Sequence, residues 1–126
     1  MVGALVAGSG TANISNNVLW ANGGTDLVSI GTGLRDLTNN DYGTRSGTTN
    51  TDINALHVDP IFVAAGDFRL RANSPMRDAG DNGVVGGIGM WDAGGHARVI
   101  SGIVDIGAYE VPDVIFQDDF ESTPFE

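Results

Sequence analysis

The chain has 126 residues with 16 acidic and 6 basic side chains, a formal net charge of −10, and no cysteine. That balance argues against nucleic-acid binding and anionic membrane surfaces, and the missing cysteines exclude disulfides, zinc–thiolate sites and a thiol nucleophile. Hydrophobic residues make up 41%, too many for a disordered chain, and the 19 glycines show no Gly-X-Y period, which excludes collagen.

In chain order, residues 1–8 are apolar but too short and uncharged for a signal-peptide core. No later run approaches a membrane span. The first half carries a faint repeat. Ile14-Ser15-Asn16-Asn17 returns as Leu37-Thr38-Asn39-Asn40 after 23 residues, and Thr25-Asp26-Leu27 is echoed by Thr51-Asp52-Ile53 after 26. Periods of this size mark repeats that bury their apolar faces against their neighbours. Short β-branched runs bounded by Gly, Asn and Thr at 17–20, 26–30 and 34–37 read as strands. Stacked in parallel, they place Asn16 over Asn39 and Asn17 over Asn40, as an amide ladder at turns that tolerate left-handed backbone.

The second half is punctuated by Asp59-Pro60. In 67–71 the alternation predicts Phe68 and Leu70 inward and the arginines solvated. Ser74-Pro75 offers an N-cap and a first-turn proline for a very short helix ended by Gly80, and 103–109 reads as a closing strand. Asp105 interrupts the apolar run Ile103-Val104-Asp105-Ile106, so it needs a partner, either Arg98 or a backbone turn, with Glu110 close in sequence.

The ordered motifs Asp59-Pro60-Ile61-Phe62-Val63, Gly66-Asp67-Phe68-Arg69-Leu70, Ser74-Pro75-Met76-Arg77-Asp78-Ala79-Gly80 and Asp105-Ile106-Gly107-Ala108-Tyr109-Glu110 resemble the choice-of-anchor Q domain, over about residues 14–111. That domain closes bacterial right-handed parallel β-helix proteins of the pectin-lyase-like class. The resemblance implies a secreted or cell-surface bacterial protein, with the tail around Ile115–Glu121 as a sorting or anchoring segment. The expected fold is therefore all-β: right-handed parallel β-helix (solenoid) rungs over 1–58, an irregular C-terminal closing module over 59–111 that covers an exposed end, and an acidic tail over 112–126. As the C-terminal portion of a longer exported protein, the chain would meet upstream rungs, or a second copy, through its uncapped N-terminal rung.

Candidate chemistry is sparse. Asp118-Asp119 is an adjacent acidic pair, but it lies in the tail. Asp78-Ala79-Gly80-Asp81-Asn82-Gly83 clusters oxygen donors in a glycine-permitted turn, which makes Asp78 and Asp81 candidate calcium ligands. His57 and His96 lack partners at metal-ligand spacing and read as turn residues, His96 facing solvent. Gly86-Gly87-Ile88-Gly89 lacks the lysine of a phosphate loop. Trp20, Trp91, Tyr42 and Tyr109 are the aromatics suited to stacking on sugars. These residues give no catalytic constellation. They predict a structural or adhesion module contacting polysaccharide or a cell surface. The alternatives are the end of a polysaccharide lyase or glycoside hydrolase whose catalytic rungs lie upstream, or a small calcium-binding protein.

Overall fold

The computed structural model describes residues 2–100 and 102–112, and these contain ten short strands and no helix. The first half runs three times through the same three directions. The first pass is β1 (Ala4–Ala7), β2 (Ala12–Ser15) and β3 (Val18–Leu19). The second is β4 (Leu27–Ile30), β5 (Arg35–Thr38) and β6 (Asp41–Tyr42). The third is β7 (Arg45–Ser46) and β8 (Thr51–Ile53), followed by Leu56, which bridges Asp41. Like pairs with like in parallel, giving sheets β1-β4-β7, β2-β5-β8 and β3-β6.

The pairs Ala4–Leu27, Ala12–Arg35 and Val18–Asp41 all lie 23 residues apart. The second interval is shorter: Leu27 pairs with Arg45, and Asp36 with Thr51. The echo at 26 residues is therefore not a structural register. Residues 20–26 link the first pass to the second, whereas Gly43-Thr44 alone link the second to the third.

In-register parallel pairing keeps each column of side chains on one face. Leu27 and Leu37 point inward in the second pass and are fully buried, with Ala4 and Ile14 beside them in the first pass. In the third pass the same columns end in Arg45 and Asp52, an ion pair at 3.4 Å joined by the Tyr42 hydroxyl, which donates to Asp52. The apolar column thus finishes on a polar plug.

Each corner between sheets is clipped by one polar residue type. Where the first sheet turns into the second, the buried Arg35 guanidinium donates to the carbonyls of Gly8, Gly10, Ile30 and Leu34 at 2.9–3.2 Å. Where the third returns to the first, buried Asp26 accepts from the Asn22 side chain at 2.8 Å and from the amides of Gly43 and Thr44 at 2.8 and 3.0 Å. Its carboxyl sits below the usual range because these hydrogen bonds outweigh the opposing effect of burial. Where the second turns into the third, Asn16, Asn39 and Asn54 share left-handed φ of 59°, 55° and 56°. Asparagine is among the few residues that visit this region at small cost. Next to them Asn40 is wholly buried; its Oδ1 accepts from the amide and side chain of Asn17, and its Nδ2 donates to the Ile14 carbonyl.

The second half begins with an antiparallel hairpin, β9 (Phe62–Ala64) and β10 (Asp67–Leu70), turned at Gly66. A bulge between Asp67 and Leu70 adds a residue and breaks the alternation. Leu70 is buried as expected, but Phe68 is 60% exposed and meets Phe62 edge-on at 5.3 Å. The short helix expected after Ser74 is absent. Ser74 does accept the Met76 amide at 3.1 Å, but the chain continues as turns, because the Asp78 and Gly80 amides bond Asp105 and Val104 instead of a helical carbonyl. Residues 103–109 form no strand either; they are held by scattered bonds such as Ile106 amide to Met76 carbonyl.

Leu70, Met76, Ile106 and Val111 form a core against which Val18 and Leu56 of the third sheet pack. The second half thus packs along the flank of the passes, from Asn16 and Val18 in the first through Asn39 in the second to Leu56 after the third. The asparagine corner is the seam. Asn16 exchanges two bonds with the Asp81 backbone at 2.8 and 2.9 Å, Asn39 donates to the Ala79 carbonyl, and the Gly107 amide donates to the Asn16 carbonyl. The approach is close enough that a Cβ on Gly80 would lie 3.0 Å from the Asn16 side-chain oxygen.

Asn39→Ala is expected to lose about 1–2 kcal/mol of stability in urea unfolding, because alanine resists left-handed φ and the Ala79 carbonyl loses its donor. Asn39→Gly should recover part of that loss.

Candidate functional site

The flank packing leaves a cleft of about 570 Å3 between the first pass and the second half. Ser15, Asn17 and Val18 line one wall, and Phe62, Phe68 and Tyr109 line the other. The bulge in β10 is what places Phe68 there rather than in the core. No carboxylate lines the cleft, and its one guanidinium, Arg98, is already held: Nη1 lies 2.6 Å from Glu110 Oε2, and Nη2 donates to the carbonyls of Gly107 at 2.9 Å and Asp105 at 3.4 Å. The surface offers aromatic faces and neutral polar groups, which suits holding a ligand by contact and hydrogen bonding.

Behind Arg98 is a buried carboxylate network that braces this wall. Glu110 Oε2 accepts the Asp105 amide at 2.8 Å, and Asp105 accepts the amides of Asp78 at 2.7 Å and Val111 at 2.6 Å. The Asp105 carboxylate is therefore met by backbone, and Arg98 reaches only its carbonyl. Asp92 accepts the Glu110 amide at 2.8 Å and the Gly94 and His96 amides at 2.9 Å. Burial pushes the Glu110 carboxyl up to about 7, helped by the Asp105 and Asp92 charges against the pull of Arg98 and the Asp105 amide. Burial likewise raises Asp105, while Asp92 is lowered, its three backbone donors outweighing burial.

Most of the other sequence candidates lie away from the cleft. Asp81 accepts the Gly83 amide within the 78–83 turn, while Asn82 accepts the Val104 amide and donates to the Gly102 carbonyl, so these two side chains bond different backbone segments. Among the described residues no three His, Asp or Glu side chains gather to hold a metal, at Asp78 and Asp81 or elsewhere. Asp59 caps the Ile61 amide, and the buried Pro60 gives its carbonyl to Ser74. His57 packs edge-on to Tyr42 at 4.7 Å, and the His96 side chain is exposed beside Asp92. Trp91 is exposed, Trp20 borders a separate shallow hollow with Asn22 and Thr44, and Tyr42 is committed to the polar plug; Tyr109 alone of the four aromatics reaches the cleft. Asp118 and Asp119 lie outside the described residues.

The sequence reading passed over Phe62 and Phe68 as ligand contacts and over Arg35, Asp26, Asp41 and Asp92 as buried polar residues. Arg35 had a usable signal, since it stands two residues before Leu37 and shares its inward phase. Asp41 had none: it shares a column with Val18 and Leu56, which pack against the second-half core, and its carboxylate accepts the Val58 amide at 3.0 Å.

No family model, curated protein or solved structure matches the chain. The geometry of the cleft and its frame is the basis for a functional reading.

Two outcomes test the bracing network. Asp105→Ala leaves two buried amides without acceptors and is expected to cost about 2–4 kcal/mol, whereas a loss below about 0.5 would place Asp105 in water. The pH dependence follows from Glu110. Between its ordinary 4.5 and about 7 the folded chain keeps a proton that the unfolded chain has released, so stability falls as pH rises through that window. Thermal melts should show this fall, and Glu110→Gln should flatten it; a melting temperature that rises across the window contradicts the assignment.

Proposed function

We propose that the three passes are turns of a right-handed parallel β-helix and that the chain is a structural and adhesion module of a secreted or surface-displayed bacterial protein. In this reading the module carries no catalysis and holds a saccharide of a polysaccharide or cell surface in its cleft. The observation that carries the reading is the cleft wall itself: Phe62, Phe68 and Tyr109 beside Ser15 and Asn17, with no carboxylate among them. Aromatic faces stack on the apolar side of a sugar ring while neutral groups meet its hydroxyls. Glycoside hydrolysis, by contrast, uses a pair of carboxylates flanking the bond.

Supporting this is the frame. Three parallel sheets, in register over successive passes and clipped at every corner, form a stiff base on which a binding wall is held in place. The resemblance of the 59–110 motifs to the choice-of-anchor Q domain points to the same class and to export. No helix among the described residues is long and apolar enough to cross a membrane.

A panel of neutral and acidic polysaccharides, screened by affinity electrophoresis and calorimetry, tests the reading. Binding without release of reducing ends or unsaturated products is expected. Phe68→Ala should weaken it about tenfold, about 1.4 kcal/mol, with little loss of stability because Phe68 is exposed. Cleavage of the bound polymer, or affinity unchanged by Phe68→Ala, contradicts it.

A further inference from the structure

The cleft carries one charged side chain, and that charge is cancelled on the spot. Among the described residues Arg98 is the only ionised group on the lining. Its guanidinium lies 2.6 Å from Glu110 Oε2, with the two side chains 11% and 0% exposed. A pair so withdrawn from water is weakly screened and directs its field at itself. Glu110 is fixed in place: the Asp105 amide donates to the same oxygen at 2.8 Å, and Asp92 accepts the Glu110 amide at 2.8 Å. The other Arg98 hydrogen bonds run to the carbonyls of Gly107 and Asp105, and the Asn17 side-chain amide is engaged by Ser15 and Asn40. The hydroxyls of Ser15 and Tyr109 carry no hydrogen bond among the described residues. A ligand therefore meets aromatic rings and two uncommitted hydroxyls, which both donate and accept as sugar hydroxyls do.

We infer that Glu110 decides which class of saccharide the cleft takes: set against Arg98, it makes the cleft a site for uncharged sugars and closes it to uronates and other anionic ones. The inference rests on the saccharide-binding reading above and adds to it the charge of the ligand. An anionic sugar meets no free cation on the lining, and it must approach a chain of net charge −10. Glu110 acts through Arg98 and is a positioning residue, so its mark is selectivity. Without its charge, Arg98 becomes a net cation on the cleft wall. Protonation has the same effect. Burial pushes the Glu110 carboxyl up to about 7, so the mask is in place above neutrality and lifts in weak acid. Arg98 and Asp92 from the 90–98 hairpin and Asp105 from the segment leading to it face Glu110, and Arg69 and His96 share a separate hollow with it.

Matched pairs of one glycan, neutral and oxidised at C6 to the uronate, separate charge from shape. Glucan, galactan and mannan pairs are measured by calorimetry against the whole chain. At about pH 8 the native chain is expected to bind a neutral member about tenfold more tightly than its uronate. In Glu110→Gln, checked for folding by circular dichroism, that ratio should collapse, and the uronate binding that replaces it should weaken with salt. The native chain should show the same collapse at about pH 5.5, Glu110→Gln should lose the pH response, and His96→Ala should keep it. A uronate bound by the native chain at the higher pH as tightly as its neutral partner overturns the inference and leaves the saccharide-binding reading standing. So does a ratio that stays unchanged in Glu110→Gln or in acid. Binding of no member of any pair overturns both.

Discussion

A strand that leaves one sheet and enters the next must reverse the sense of its backbone within a residue or two, and in this chain asparagine makes that turn in all three passes. Asn16, Asn39 and Asn54 occupy one column with left-handed φ, and the strands on either side can pair in register only because each turn has the same shape. The amides do more than permit the turn. Asn16 and Asn39 project to the flank and bind the backbone at Asp81 and Ala79, so the column that bends the passes also carries the second half. Glycine could supply the dihedral angle but not those bonds. The cleft lies beside this column, where the second half is hung from it.

The remaining frame is polar where a larger protein would be apolar. The buried aliphatic core is small, and the chain compensates by turning charged side chains into backbone clips: Arg35 for four carbonyls, Asp26 for three backbone amides and an asparagine side chain, Asp105 for two amides, Asp92 for three. Each satisfies main-chain groups that the corners and irregular segments leave outside the sheet ladders. Burial costs the carboxylates unequally. Asp26 and Asp92, rich in donors, sit below the ordinary range, whereas Asp41, Asp105 and Glu110, with fewer donors for their burial, sit above it. The frame is therefore most comfortable in weak acid, between the loss of the first group and the ionisation of the second.

How far the sequence could be read follows from the same physics. The 23-residue interval was visible because Ile14-Ser15-Asn16-Asn17 and Leu37-Thr38-Asn39-Asn40 occupy the same strand and corner, where both core and dihedral angle constrain residue type. The third pass was not visible. Its columns carry Arg45 and Asp52 in place of leucine, and its leading corner shrinks to Gly43-Thr44, so neither pattern nor spacing repeats. In the second half, local signals were outbid by tertiary bonds: Ser74-Pro75 starts a turn, but the Asp78 and Gly80 amides go to Asp105 and Val104. The cleft was legible only through Tyr109, since the outward turn of Phe68 depends on a bulge that alternation does not announce. The need of Asp105 for a partner could be inferred from its apolar neighbours, but the choice of backbone over Arg98 required the fold.

The dependence of both halves on the asparagine column is tested most directly by hydrogen exchange at the Asp81 and Gly107 amides, which Asn16 accepts through its side chain and its carbonyl. The account predicts that both amides are strongly protected in the native chain. In Asn16→Ala, protection should fall at these two sites and also at the Asn39 and Asp41 amides of the second pass, as turn and seam loosen together. Free exchange at Asp81 and Gly107 in the native chain, or protection that Asn16→Ala leaves untouched, contradicts it.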